Sequence, residues 1–596
     1  MATTQIPGSF CCANNGDCLD GIIDTEAHCQ SHEACEKKAS NTCTQCYLVQ
    51  YCSKECQKSH WAIHKLDCKS ALMKQNWLPS WEVENRSPSF IEGGGGVEPN
   101  NGPSLTVHGT RKYLWGNVPA YDVLNLRENE GVETKRDLRL VFAASGDMRN
   151  VAKTVVGLPD SYPGNCDLVL NDMDPSIVIR NAILLLTALT FPPEEAAPMM
   201  LHIWYSALLP ASTFLSLQEK ILPLVQDVCT KIQGKAGDSL QAKTWTFSHL
   251  HDKKSSLRII LKKSQWETMM VYFRVPAGLG KVEAQRVRKA TTLAPERLDY
   301  VHRGLYALKP ARRVGMMKFR GDGILLPFGA PRRGYDVPNP TLFQSKDFWP
   351  MMDSADPLHG WSTSDIRANV PLASNDVYGG LYFHVYSVLL KFCNKLQVLN
   401  LSFVLLQVNA LELYKTLENA QLLKQGFDRV EVSNISDGGY IGIQRTLLHL
   451  SRLLPAPPSN PHATLLTLFL NAIHEISSSS SFLSSPTSLK SDITKLLKYL
   501  PLPNPAKNPS ETSAYMMDLI QNRSVFWDFD TMFATYMQEE EFARIAREQH
   551  MCVKETHTVL GKWPWRLREG APKELFDELR ASGLMGSERY VEWRRV

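Results

Sequence analysis

The chain has almost no excess charge of either sign. Across 596 residues, 65 Lys and Arg stand against 61 Asp and Glu, a formal net charge of +4. A protein built around a large basic nucleic-acid surface is therefore not expected. Long apolar runs are missing too. A stretch such as "AILLLTALTF" at 182–191 is too short to cross a bilayer and reads as core. Residues 1–10 are polar and carry no apolar signal segment. These absences lead to the expectation of an intracellular chain, in cytoplasm or nucleus, with no membrane partner. The catalytic signatures G-x-S-x-G, P-loop and H-E-x-x-H are absent, as is G-x-G-x-x-G. No catalytic residue is assigned, and the expectation leans away from an enzyme.

Cysteine is scarce over most of the chain and crowded at one end. Ten of the fourteen fall within residues 11–68, leaving Cys166, Cys229, Cys393 and Cys552 for the rest. A disulfide scaffold would use cysteine throughout its fold. One dense cluster interleaved with histidine points to zinc instead.

Composition divides the chain. Residues 1–28 read as a flexible leader, 29–68 as a Cys/His module, and 84–104, rich in Gly, Pro, Ser and Asn, as a linker. From 105 to about 460 the apolar content rises. "LRLVFAASGD" and "CDLVLNDMDPS" read as strands, each followed by a helix, "MRNVAKTVVGL" and "IVIRNAILLLTALTF". The pattern returns with helix "LYFHVYSVLLKFCNKLQ", strand "LNLSFVLLQ", helix 410–426 stopped by Gly426, and strand "FDRVEVSN". Alternation of this kind predicts an open parallel α/β sheet. Residues 461–510 read as a Ser/Pro-rich connection, and 511–596 as a charged helical region.

In the module the spacing is C-x2-C-x5-C-x3-C-x7-H-x3-C, supplied by Cys43, Cys46, Cys52, Cys56, His64 and Cys68. Two tetrahedral zinc sites need eight ligands, so two more must lie upstream. Cys29 with Cys35 is taken first. His32 with Cys35, and Cys12 with Cys18, remain open. Four protein ligands per ion would leave no position for water or substrate, so both ions are read as structural. A module of this size cannot bury enough surface alone, and the metal supplies its folding energy. His60 is read as exposed and not a ligand.

"YCSKECQKSHWAIHKLDC" resembles the MYND zinc finger, at Tyr51-Cys52-Ser53, Cys56-Gln57, Trp61, His64-Lys65 and Cys68. The resemblance implies a cross-brace: Cys29, Cys35, Cys52 and Cys56 on one zinc, Cys43, Cys46, His64 and Cys68 on the other. The C-x5-C spacing of the first pair departs from the family's usual C-x2-C. MYND fingers are interaction modules for short, often proline-containing peptides, so a protein partner is implied.

In the α/β region, Gly146 follows the first strand and Asp172 ends the second, 26 residues on. Glycine there lets backbone approach a ligand, and the acid can meet ribose hydroxyls. This resembles the layout of S-adenosylmethionine-dependent methyltransferases. Asp147, at the start of the next helix, suits a helix cap and would repel a phosphate, which argues against dinucleotides. A plain strand–turn–helix is the competing reading. Trp115, Gly116 and Asn117, and Ser433, Asn434 and Asp437, are candidate pocket or turn residues.

The words "YLWGNVPAYDVLNL", "ASGDMRNVAKTVVGLP", "VLNDMDPSIVIRNAILLL", "NDVYGGLYFHVYSVLLKF" and "FDRVEVSNISDGGYIG" run through 105–460. They resemble fungal MYND proteins whose following domain, of unknown function, also occurs in a dynein axonemal assembly factor. That resemblance implies a Rossmann-like, methyltransferase-like core and no established reaction. The function expected is an interaction protein whose finger recruits a peptide and whose α/β domain is a scaffold. The alternatives are a methyltransferase or its ligand-binding relative, and a transcriptional regulator.

Overall fold

A computed structural model describes residues 12–15, 35–92, 97–98, 102–103, 108–110, 112–248, 254–370, 372–457, 459–479, 486–502, 509–561, 567–582 and 586–596. The N-terminal finger is a hairpin of two-residue strands, Asn41–Thr42 and Gln50–Tyr51, followed by helices α1 (Lys54–Ser59) and α2 (Trp61–Cys68).

The body is built on a sheet of nine strands among the described residues. They are β1 (Leu138–Phe142), β2 (Asn165–Asn171), β3 (Leu240–Ser248), β4 (Lys254–Lys262), β5 (Asn400–Leu406), β6 (Arg429–Glu431), β7 (Thr464–Phe469), β8 (Met551–Val553) and β9 (Arg589–Arg595). Their order is β8-β9-β7-β6-β1-β2-β5-β4-β3. From β7 to β4 all neighbours are parallel, with Val141 opposite Val430 on one side and Val169 on the other. Strand β3 pairs antiparallel with β4, and β9 lies antiparallel between β7 and β8.

Both faces of this sheet are covered, which is why its strands read as nearly continuous apolar runs. Side chains alternate across it. Leu138, Leu140, Phe142, Leu168 and Leu170 enter one core, with helices α3 (Arg149–Gly157), α4 (Pro175–Thr190) and α5 (Pro193–Tyr205). Val141, Ala143, Val169, Val430 and Leu465 enter the other. Asp174 caps α4 by accepting from the Ser176 N–H, and Pro175 sits at its first position. Ile177–Leu189 of α4 are buried on every side, as a helix apolar all round should be. Two further helices of the body are α6 (Pro310–Asp322) and α7 (Val377–Val398).

Several boundaries differ from the sequence reading. The helix expected over 410–426 ends at Asn419, and Gly426 instead makes a left-handed turn tight against the backbone of Pro455. Residues 461–510 hold a core strand, β7, and the region 511–596 adds β8 and β9 to the sheet instead of standing apart as helices. β9 gives no strand signal in the sequence because it carries charge: "RYVEWRR" looks exposed, yet Glu592 is fully buried. Its carboxylate is matched by Lys554 at 2.8 Å and by the N–H groups of Thr558, Val559 and Leu560. The expected linker also packs. Phe90 is buried against Trp81, which precedes the linker, and Arg86 makes a two-pronged contact with Asp299 at 2.6 and 2.9 Å. Part of 84–104, and residues 480–485 of the Ser-rich tract, lie outside the described residues.

Candidate metal centre and strand-end cleft

Helical spacing builds half of each metal group. His64 and Cys68 lie one turn apart on α2, so both face inward, and both are buried. Cys56 is in the first turn of α1, where the Ser53 hydroxyl accepts its N–H at 3.3 Å and fixes the turn that also positions Cys52. Cys43 and Cys46 come from the loop of the hairpin. Tyr47 takes a left-handed φ of 54°, and the Leu48 N–H donates to the Cys46 sulfur at 3.4 Å.

Two groups result, each with ligand atoms all within 4.8 Å of one another: Cys12, Cys35, Cys52 and Cys56, and Cys43, Cys46, His64 and Cys68. A zinc–sulfur bond of about 2.3 Å in a tetrahedron sets sulfurs about 3.8 Å apart. Cys43 and Cys68 sulfurs are 3.8 Å apart, Cys35 and Cys52 3.5 Å, and Cys52 and Cys56 3.4 Å. His64 presents Nε2, 3.4 Å from the Cys46 sulfur. Burial pushes the Cys12 thiol up to about 12 and that of Cys68 to about 11, so a cation is needed to hold thiolates there. The residues fit two structural Zn2+ ions, interleaved along the chain as a cross-brace.

Among the described residues, the first group takes Cys12 beside Cys35. Cys29, His32 and Cys18 lie outside the described residues. Residues 12–15, expected in a flexible leader, are packed into the finger. The Ala13 N–H donates to the Gln50 carbonyl at 2.8 Å, and the Cys35 N–H to the Asn14 carbonyl at 2.8 Å. These bonds run the segment beside the hairpin, which brings the Cys12 sulfur to the site. His60 is half-buried, with Tyr51 Oη 3.0 Å from its Nδ1, and it stacks on His64 without joining a metal group.

The finger is seated on the body. Its core, with Leu48, Val49 and Tyr51, is continuous with Ala311 and Val314 of α6 and with Phe328. Gly329 allows the approach, since a Cβ there would lie 2.8 Å from that of Ala13. Asn15 Nδ2 donates to the Gly329 carbonyl at 2.8 Å, and Asn375 Nδ2 to the Cys46 carbonyl at 2.8 Å.

The second feature is a cleft of about 1350 Å³ at the carboxyl ends of β1, β2 and β6. After β1 the chain lays β2 and β5 to one side, then returns to place β6 on the other. Between β1 and β6 the strand order therefore reverses, and in open α/β sheets ligands bind in such crevices. Gly146 and Asp172 both line it. Asp172 accepts from the Gly146 N–H at 3.0 Å and the Asp174 N–H at 2.9 Å, and burial raises its carboxyl above the ordinary range. Gly146 has a φ of 53°.

Asp147 does not act as the expected helix cap; Met148 holds that position. Its carboxylate binds Arg149 Nε at 2.6 Å, the Arg149 N–H at 3.2 Å and the Gly116 N–H at 2.8 Å. Gly116 and Asn117 line the cleft, while Trp115 is buried and donates to the Trp204 carbonyl. Ser433 and Asn434 line it too. Asp437 sits behind them, accepting from the Leu470 and Asn471 N–H groups, and burial raises it to about 6.

Sequence reasoning misses Glu431. It lines the cleft at the end of β6, is 3 % exposed, and accepts from the Ser433 N–H at 2.8 Å and the Tyr121 hydroxyl at 3.3 Å. Burial pushes its carboxyl up to about 7. The available signal is an acid inside "RVEV", a run whose parallel-strand setting buries both faces.

Comparison with known proteins identifies the first of these features. Residues 27–68 match the MYND finger, and residues 114–209 match a domain of unknown function, DUF4470. The chain carries a MYND zinc finger on a large mixed-sheet α/β body. The finger match begins at residue 27, downstream of Cys12. Among curated proteins, mouse N-lysine methyltransferase SMYD2 is 33% identical over 97 residues, 16% of this chain and 22% of that protein. The Schizosaccharomyces pombe SET domain and MYND-type zinc finger protein 6 is 38% identical over 105 residues, 15% of this chain and 21% of that one. Zebrafish dynein axonemal assembly factor 3 is 25% identical over 182 residues, 29% of this chain and 36% of that one. The matched segments thus span between about a fifth and a third of these relatives. No solved structure matches the chain. No helix among the described residues is long and apolar enough to cross a membrane.

Proposed function

We propose that the protein is a zinc-stabilised interaction protein, in which the finger captures a short, proline-containing peptide and the α/β body is its scaffold. The carrying observation is the closure of both metal groups: four protein ligands each leave the ions a structural role and make the finger a shaped surface. Seating on α6 holds that surface rigidly against the body. The reading includes a place inside the cell, in cytoplasm or nucleus, where free thiols of the kind seen here persist, and a kinship with fungal proteins of the same layout. The test is an array of proline-containing peptides probed with the full-length, zinc-loaded protein. Peptide binding that disappears on chelation is expected; binding indifferent to zinc would overturn the reading.

A second reading is favoured by the cleft. We read the body as Rossmann-like, and Gly146 and Asp172 at a strand-order reversal support a S-adenosylmethionine-dependent methyltransferase or a ligand-binding relative. The N-lysine methyltransferase named above covers too little of this chain to carry an activity across. Methyl transfer from labelled S-adenosylmethionine to a protein substrate would establish the catalytic form of this reading, and its absence would leave the ligand-binding form.

A further inference from the structure

The cleft's own hydrogen bonds and carboxylates weigh against one large class of ligand. A phosphate at a strand–turn–helix needs free backbone N–H groups at the helix start. Here three donors of the turn and helix start are engaged. The Ser145 N–H donates to the Asn171 carbonyl at 2.8 Å, the Gly146 N–H to Asp172, and the Arg149 N–H to Asp147. The position an anion would take before α3 is filled by the Asp147 carboxylate, which is 5 % exposed and locked to Arg149. Arg149 itself is held on the Val118 and Gly360 carbonyls, so its charge is spent within the protein.

What remains in the walls is negative. Asp172, Asp174 and Glu431 make no ion pair among the described residues, and Glu588 lines the same space. Lys112 also lines it, and its ammonium donates to the Ser176 hydroxyl at 2.8 Å. A concave site lined mainly by one sign of charge concentrates the opposite sign.

Glu431 carries the argument further. Both donors that reach it, from Ser433 and Tyr121, go to Oε1. Oε2 has no protein partner among the described residues: the residue is almost wholly buried, and this oxygen opens on the cleft. A carboxylate oxygen that opens on a cleft without a protein donor is met there by water or by a ligand. Aromatic rings stand beside it: Tyr121 and Tyr590 meet edge to face, with centroids 5.4 Å apart. Such faces also favour a cation.

We infer that this cleft takes a small, phosphate-free organic ligand bearing positive charge, and that Glu431 Oε2 is the atom that meets it. The inference rests on the second reading above, that the cleft is a ligand site, and adds the class of ligand.

The test is titration calorimetry on the full-length, zinc-loaded protein. The probes are S-adenosylmethionine (a phosphate-free nucleoside with a sulfonium), adenosine as its neutral counterpart, and ATP and NAD as phosphate-bearing ones. S-adenosylmethionine should bind at least about ten-fold tighter than adenosine, and the phosphate probes should give no heat. Glu431→Gln, which keeps the shape of the side chain, should weaken the sulfonium probe about ten-fold or more while retaining two zinc ions. Equal binding by ATP or NAD would overturn the inference and leave the cleft a ligand site. Unchanged affinity in a folded Glu431→Gln protein would remove Glu431 from it. No heat from any probe would overturn both the inference and the reading beneath it. Hydrogen exchange on the wild type supplies the answer if the variant fails to fold: S-adenosylmethionine should protect 143–147 and 429–435, and no protection there counts against the proposal.

Discussion

Asn375 Nδ2 donates to the carbonyl of Cys46 at 2.8 Å, across 329 residues of sequence. One residue precedes the cap of a long body helix, α7; the other is a metal ligand in the finger. The Asn375 N–H adds a second bond, to the Tyr47 carbonyl at 3.1 Å. The finger is thereby part of the body's architecture and not a module swinging on a linker. Asn375→Ala should cost about 1 kcal/mol, the usual worth of one such bond, and should raise hydrogen exchange across 43–51 without releasing zinc. Exchange unchanged in that segment would mean that the apolar seat on α6 alone holds the finger.

Cys12 stands in the first metal group, and this yields a count. Native mass spectrometry of the full chain should show two zinc ions, falling to one in Cys12→Ser, with Cys29→Ser keeping both. The reverse pattern would restore Cys29 as the ligand. Chelation should unfold the finger, because metal binding supplies on the order of 10 kcal/mol in small zinc modules.

Arg429 and Glu130 form a buried two-pronged ion pair at 2.9 and 2.8 Å, with side chains 0% and 1% exposed. Burial works to raise Glu130, and Arg429 more than offsets it, so the carboxyl lies below its ordinary value. Arg429→Ala strands that charge and should destabilise the body by roughly 3–5 kcal/mol. Thermal unfolding reads this directly. Replacing both partners by apolar residues should cost less than the single change.

Glu431 makes stability depend on pH. Its ordinary value is 4.5, and burial raises it to about 7 in the folded chain. The folded state therefore binds a proton that the unfolded state has released. This contribution is complete below about pH 4.5 and is lost as pH rises to about 7. Glu431→Gln should be more stable than wild type at pH 8, by on the order of 2–3 kcal/mol without ligand, and indistinguishable from it near pH 4. Denaturant melts at the two pH values decide; an equal difference at both would place the effect outside titration.

Gly116 lies where a Cβ would come 1.2 Å from the Arg149 guanidinium. Gly116→Ala must push Arg149 off Asp147 and the Gly360 carbonyl, and a melting temperature lowered by several degrees is expected. An unchanged melt would show that Arg149 has room to move.

Local pattern determined a good deal by itself. C-x3-C and H-x3-C on short helices, with a C-x2-C loop, dictate six ligands before any fold is known, because chelation is a matter of near neighbours. The strands around Val141, Val169 and Val404 and the helices α3, α4 and α7 were legible for a similar reason: a parallel sheet buried on both faces writes its burial into continuous apolar runs. Tertiary structure decided the rest. Cys12 reaches the first metal group through backbone bonds to residues far along the chain, and no spacing rule reports those. β9 joins the sheet although charged, because Lys554 and three backbone N–H groups arrive from elsewhere to satisfy Glu592. Glu431 becomes a cleft residue only when β6 returns to lie beside β1, bringing together two segments nearly 300 residues apart. Residues that depend on a distant partner for their charge, their burial or their bonding leave no periodic trace, and the fold alone assigns them.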